Sequence, residues 1–352
     1  MAPLIKALRE YQDLEVITVS TQQHESLLSD TLDSLNISTD LELSVPDRST
    51  VQTLVASIGI ELEQPISQCD FIVVQGDTIS AYAGAFAGLL QKKPVIHLEA
   101  GLRTSDLHQP HPEEGLRRAI THLTSLHLAP TENARNNLEL EGVPAIAIVV
   151  TGNTSIDAIK HQLERMGSKS PSSFARYEKY CVLTVHRREN WGEGLDDIAH
   201  AVFQLAQEFP EVEFICPLHP NPIVRKSFAE LPVAKNFRII DPLRHDDFVQ
   251  LLAGSQLILT DSGGIQEEAT VLGVPVVILR EETERPEVVE IGMGFLTGTS
   301  QDKILSRSRD LLAQRLSGQF LISSVSPFGD GSAGVQAACA ISHFAKENQR
   351  PL

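Results

Sequence analysis

The sequence predicts an α/β protein made of two doubly wound, parallel-sheet domains. Three observations predict it. Short apolar runs alternate with helix-length segments through both halves of the chain. The alternation is interrupted at the Gly/Ser/Pro-rich stretch 167–173 and then restarts. Charged residues and glycines gather where the apolar runs end, which is where ligands bind in open α/β sheets. At 352 residues, the chain is long enough for two domains of ordinary size. We divide it into an N-terminal domain over 1–166, a second over 174–330, and a C-terminal helix over 331–352 that packs back on the first.

Composition narrows the function. With 42% hydrophobic and 21% charged residues the chain is globular. A net charge of −17 argues against nucleic acid or an anionic membrane as the main partner. The four cysteines form no CxxC pair and suit reduced thiols in a cytoplasmic protein. No apolar run reaches membrane-spanning length, and the first residues do not read as a signal peptide.

In chain order, residues 1–12 read as a helix with Leu4, Ile5 and Leu8 on one face, and Leu14 to Val19 as a strand. Phe71 to Val74 is a strand that ends in Gln75-Gly76-Asp77-Thr78, followed by a small-residue helix from Ser80 to Leu90. Pro94 to Ile96 leads into His97, Glu99, Gly101 and Arg103, then into a proline loop and a helix that opens with Glu113, Glu114, Arg117 and Arg118. Leu126 to Ala129 and Ala145 to Val150 are further strands, and a helix runs from Ser155 to about Met166. The second half repeats the pattern with strands at Cys181–Val185, Val212–Cys216, Phe237–Ile240, Leu257–Leu259 and Pro275–Leu279.

Two strand-end groups carry chemistry. Asp261-Ser262-Gly263-Gly264 precedes a helix, and glycines there let backbone N–H groups approach an anion. The plain alternative is Ser262 as an ordinary N-cap. His186, Arg187, His219 and Arg285 add positive charge, and a diphosphate leaving group fits such a site. In the first half, Asp77, Glu99 and Glu113 are three carboxylates suited to proton abstraction and return at one carbon. Taken alone, Asp77 reads better as the N-cap of the following helix, and Glu113–Arg117 and Glu114–Arg118 read equally well as i,i+4 pairs on a solvated face. No metal constellation stands out; Asp106, His108 and His111 share one loop, a poor arrangement for a metal.

These motifs together resemble the bacterial non-hydrolysing UDP-N-acetylglucosamine 2-epimerases. The resemblance rests on Gln75-Gly76-Asp77-Thr78, His97 to Thr104, Pro112-Glu113-Glu114 with Arg117, Thr151 to Thr154 with Asp157, and His186 to Asn190. It continues through His219-Pro220-Asn221, Thr260 to Glu268, Thr283 to Glu287 and Pro327 to Gly331, so it spans essentially the whole chain. It implies a GT-B-type fold, with two Rossmann-like domains around a central cleft, and a homodimer. It implies interconversion of UDP-GlcNAc and UDP-ManNAc without an added cofactor, by elimination of UDP through 2-acetamidoglucal and re-addition. By resemblance, Asp77, Glu99 and Glu113 are the acid/base candidates, and Arg117 and His186 orient substrate or stabilise UDP. His219, Ser262, Gly263, Gly264, Glu268 and Arg285 hold the nucleotide, with Glu268 on the ribose. Gln23 and His24 partly match the family's allosteric site, whereas Val45 to Val55 does not.

Two departures qualify this. The family pattern begins with a strand and a Gly-Thr-Arg-Pro-Glu turn that lie ahead of Met1 and have no equivalent here. The expectation is a start placed too far downstream and a chain that is unstable or weakly active as written. Leu116 stands where the family usually has Asn beside the arginine. Alternative readings are a hydrolysing 2-epimerase, a GT-B glycosyltransferase, and a degenerate nucleotide-sugar-binding protein.

Overall fold

The computed structural model describes residues 1–22, 32, 35, 37–45, 50–166, 174, 177–219, 221–231, 234–320 and 326–348. Gln23, His24 and the connecting stretch 167–173 lie outside the described residues. The chain forms two compact units: residues 1–158 with 328–352, and residues 159–327.

The first unit opens with helix α1 (Ala2–Leu8), whose Leu4, Ile5 and Leu8 are buried. Strands β1 (Val19–Ser20) and β2 (Leu41–Glu42) form a two-stranded parallel ladder. Helices α2 (Val51–Glu61) and α3 (Glu63–Ser67) follow. Strand β3 (Ile72–Gln75), helix α4 (Ile79–Leu90), β4 (Val95–Leu98), α5 (Glu113–Leu123), β5 (Leu126–Ala129), α6 (Glu132–Leu140), β6 (Ile148–Val150) and the start of α7 (Thr154–Met166), whose residues from 159 belong to the second unit, complete the alternation. The sheet runs β3-β4-β5-β6, all parallel.

The stretch Leu14 to Val19, read as one strand, pairs only from Val19 onward. Apolar residues alone do not make a strand; a neighbour must accept the ladder bonds, and β2 supplies one only at Val19 and Ser20. Among the described residues, β1 and β3 each have one unpaired edge. A cavity of about 360 Å³ lies in this region, lined by Leu4, Leu8, Val16, Val19, Ile72 and Val74.

The second unit holds β7 (Tyr180–Thr184), α8 (Glu193–Glu208), β8 (Glu213–Pro217), α9 (Pro222–Ala229), β9 (Phe237–Ile240), α10 (His245–Ala253), β10 (Leu257–Thr260), α11 (Gly263–Leu272), β11 (Val276–Ile278), α12 (Pro286–Glu290), β12 (Gly294–Leu296) and α13 (Gln301–Leu316). Its six strands are parallel in the order β12-β11-β10-β7-β8-β9. Side chains along each strand alternate between two cores. Cys181, Leu183, Phe214, Leu257, Leu259 and Val277 face one side with α8 and α13. Val182, Ile215, Ile258, Val276 and Ile278 face the other with α10 and α11. Burial on both faces is why these strands read as continuous apolar runs, and each buried aliphatic side chain contributes about 1.5–3 kcal/mol.

The chain then returns to the first unit as α14 (Ala333–Asn348). Its first turn is held by Asp157 of α7, whose carboxylate accepts from the N–H groups of Ala333 (3.1 Å) and Gly334 (2.7 Å). Gly334 lies against Pro3 so closely that a side chain there would meet the α1 backbone.

Candidate active site

The first unit brings its acidic groups to the carboxyl ends of two adjacent strands. β3 and β4 pair in register, Val74 opposite His97 and Gln75 opposite Leu98. Beyond them the chain turns sharply. Gly76 has φ +68° and Glu99 has φ +66°, a left-handed conformation that a non-glycine residue adopts at a cost and that clusters at functional sites. The two turns are tied together: His97 Nε2 donates to the Gly76 carbonyl (2.8 Å), the Gly76 N–H to the Leu98 carbonyl (3.0 Å), and Gln75 Nε2 to Glu99 Oε2 (3.2 Å). His97 Nε2 carries the proton in that bond, and the buried Nδ1 has no hydrogen-bond partner. Burial pushes the His97 pKa down to about 4.

The N-cap of α4 is Thr78, whose Oγ1 accepts from Ala81 N–H (3.2 Å). Asp77 therefore does not serve as the cap. Its carboxylate instead meets the Arg117 guanidinium at 2.5 Å, 25% exposed against 5% for the arginine. Arg117 is held in turn by Glu114, which is completely buried. Glu114 accepts from Arg117 (3.2 Å), Arg118 Nε (2.8 Å) and the Thr104 N–H (3.1 Å). The solvated-face reading of α5 is thus corrected: Glu114–Arg118 is an i,i+4 pair, but its carboxylate is interior and arranges two arginines. Glu113, one position earlier, has Oε2 buried without a hydrogen-bond partner, as expected of a group kept for a ligand or a proton rather than for the fold. Arg103, grouped with these residues in the sequence, is structural: it pairs with Glu141 (2.6 Å) and donates to Thr121 Oγ1 (2.7 Å).

The second unit gathers its groups at the sheet's topological switch point, where β10 and β7 lie side by side and strand order reverses. Thr184 and Thr260 hydroxyls touch across this junction at 2.7 Å. Just beyond, fully buried Asp261 accepts from the N–H groups of His186 (3.1 Å) and Arg187 (2.9 Å) and from Asn190 Nδ2 (3.1 Å). Burial acts to raise its pKa, but the bonds from His186 and the backbone outweigh it and hold the carboxyl below its ordinary range. The His186 and His219 rings lie 6.2 Å apart at 27°. Burial and the neighbouring His186 lower the pKa of His219.

Helix α11 begins here. Ser262 is its N-cap, but the side chain makes no capping bond, so no Ser262 hydroxyl caps the first-turn N–H groups. A Cβ at Gly263 would press on the Arg285 guanidinium and the Glu284 carboxylate, so a side chain there displaces that pair. Arg285 is buried and paired with Glu267 (2.5 Å) and Glu284. It braces the start of α11 from inside, with Arg280 completing the cluster against Glu284 (2.6 Å). Burial, then the Glu267 carboxylate, push Glu268 up to about 8.

The sequence places Asp261 at a strand end and Glu114 opposite Arg118, but it gives neither of them, nor the counter-charges Glu267 and Glu284, a role in arranging the site. Asp261 carried a usable signal, the first charged residue after an apolar run; nothing in the sequence marked Glu114, Glu267 or Glu284 as interior. Among the described residues, no three His, Cys, Asp or Glu side chains converge as a metal site, and no helix is long and apolar enough to cross a membrane.

Two Rossmann-like parallel units, one with carboxylates at its strand ends and one with a glycine-opened helix at its switch point, place the chain in the GT-B class of α/β folds. Comparison narrows this. The family model for UDP-N-acetylglucosamine 2-epimerase matches residues 6–342. The UDP-N-acetylglucosamine 2-epimerase of Yersinia pestis is 39% identical over 347 residues, 95% of this chain and 92% of that protein. The crystal structure of the Neisseria meningitidis UDP-GlcNAc 2-epimerase bound to UDP-GlcNAc superposes with a TM-score of 0.92 at 35% identity, covering 98% of this chain and 96% of that one. The S. aureus MnaA–UDP structure matches with the same TM-score and identity, over 100% of this chain and 95% of that one. The chain belongs to the UDP-N-acetylglucosamine 2-epimerase family.

Proposed function

We propose that this protein interconverts UDP-GlcNAc and UDP-ManNAc by eliminating and re-adding UDP, without an added cofactor. The observation that carries the reading is that Asp77 and Glu99 follow the paired ends of β3 and β4, with Arg117 of α5 on Asp77, and that Glu113, one turn earlier on α5, keeps a buried oxygen without a hydrogen-bond partner. In the forward half-reaction the C1–O bond to UDP breaks, a carboxylate takes the C2 proton, and a C1–C2 double bond forms. In the return, a proton is delivered to the opposite face of C2 and a UDP oxygen re-bonds to C1. The C2 proton is too weakly acidic to leave alone, so departure of the diphosphate must accompany it. Three acids suit the two proton transfers, and fixed donors suit the developing diphosphate charge.

The first domain supplies the acid/base groups. The second supplies the nucleotide contacts: His186 and His219 at the phosphates, Ser262 with the Gly263 and Gly264 N–H groups at the start of α11, and Glu268 on the ribose. Arg285 contributes by bracing α11. We place the protein in the cytoplasm as a homodimer. The division into 1–166, 174–330 and a returning 331–352 belongs to the same proposal.

The test is a proton NMR time course in D₂O with UDP-GlcNAc alone. UDP-ManNAc carrying deuterium at C2 supports the proposal. Free ManNAc with UDP would move the reading to a hydrolysing enzyme, and UDP binding without C2 exchange to a nucleotide-sugar binder.

A further inference from the structure

Asp261 is placed as a support for one side chain. Its carboxylate is wholly buried at the end of β10, and beyond the His186 and Arg187 N–H groups and Asn190 it lies 3.0 Å from His186 Nδ1. An ionised carboxylate only accepts hydrogen bonds, so Nδ1 must carry the proton. The His186 side chain is itself 42% exposed. Its ring is therefore anchored at one nitrogen by a buried anion and open at the other.

We propose that Asp261 is a positioning residue that fixes His186 in the Nδ1–H form and turns Nε2 outward to meet a nucleoside diphosphate. This rests on the reading above and adds to it a residue outside the ligand contacts. A phosphate oxygen accepts only from an N–H, so it is the doubly protonated ring that donates to it from Nε2, with the Asp261 carboxylate facing the ring at Nδ1. Asn190 and the two N–H groups saturate the other carboxylate lone pairs, so Asp261 cannot turn away. The same logic orients metal- and substrate-facing histidines elsewhere.

The first test needs no substrate. Long-range ¹H–¹⁵N NMR of ¹⁵N-histidine-labelled protein at alkaline pH reads the tautomer of the neutral His186 ring; Nδ1–H is expected, and Nε2–H overturns the proposal. In Asp261→Asn the amide can present a donor to Nδ1, and the tautomer is expected to reverse. The second test is a cycle with His186→Gln. If Asp261 acts through His186, Asp261→Asn lowers kcat by about 10- to 100-fold in the wild-type background and less than about twofold in His186→Gln, since residues acting as a unit are not additive. Equal losses in both backgrounds refute the coupling. If Asp261→Asn does not fold, the wild-type tautomer still decides. A correct tautomer in a protein without epimerase activity would fail the functional reading and leave the support of His186 by Asp261 intact.

Discussion

Lowering the pH should loosen the first unit before its carboxylates are protonated, because of two histidines in its sheet. His97 and His127 face each other in the β4–β5 ladder, both about 1% exposed. Burial pushes His97 down to about 4 and His127 to about 3, from an ordinary 6.5. The unfolded chain takes up these protons as the pH falls through about 6.5, whereas the folded chain resists until about 4. Stability is thus full above pH 6.5 and drains as the pH falls towards 4. From 6.5 down to about 4, at about 1.4 kcal/mol for each pH unit, His97 contributes roughly 3.5 kcal/mol, and His127 acts in the same direction. Urea unfolding between pH 7 and 4.5 reads the slope. His97→Gln isolates one proton: the amide can keep the donation to Gly76 but cannot titrate. It should begin about 1–2 kcal/mol less stable at pH 7 through lost ring packing and then fall less steeply than the wild type. Equal slopes, or a His97 NMR titration centred near 6.5, would refute the reasoning.

Three further outcomes follow from the sites. Glu114→Ala leaves Arg117 facing Asp77 without its buried counter-charge and frees Arg118 and the Thr104 N–H; a loss of about 3–5 kcal/mol is expected, and an unchanged melting temperature would contradict it. Asp77→Asn, Glu99→Gln and Glu113→Gln should each fold with a native circular dichroism spectrum and slow C2 deuterium exchange by about 10²- to 10⁴-fold; a variant at the wild-type rate removes that carboxylate from the acid/base set. Gly263→Ala drives a methyl group into the Arg285–Glu284 pair, so calorimetry should show a melting transition lowered by about 1–3 kcal/mol of stability together with weakened UDP binding; an unaltered melt would show that the pair yields freely.

Much of the fold was legible because parallel strands buried on both faces leave apolar runs whose ends are polar. The ends read at Val185, Leu259 and Val74 each fall within one residue of the observed strand ends at Thr184, Thr260 and Gln75. What the sequence could not carry was adjacency. That β7 lies beside β10, and so Asp261 beneath His186, depends on strand order across 75 residues. Glu113 and Glu114 are chemically equivalent in sequence, yet a step of about 100° around α5 puts one in the interior as a clamp and leaves the other with an orphaned oxygen. Arg117 finds Asp77, forty residues earlier, because β3 and β4 end side by side. The Leu14–Val19 run misled for the same reason, since strand formation was decided by whether a neighbour was within reach.

The return of the chain to its first unit sets an order of events during synthesis. Residues 159–327 form a continuous unit and can close as soon as they are made. The first unit, although made earlier, must wait, because α14 covers α1 and its opening N–H groups are the partners of Asp157. Translation therefore reverses the usual N-terminal-first sequence of domain folding. Until the last helix emerges, Leu4, Leu8 and Ile96 lack the Ala337, Ala338 and Ile341 surface that completes their core. Nascent chains arrested before Ala333 would then resist proteolysis in the later-made half and be cut in the earlier one, a polarity opposite to the direction in which the polypeptide grows.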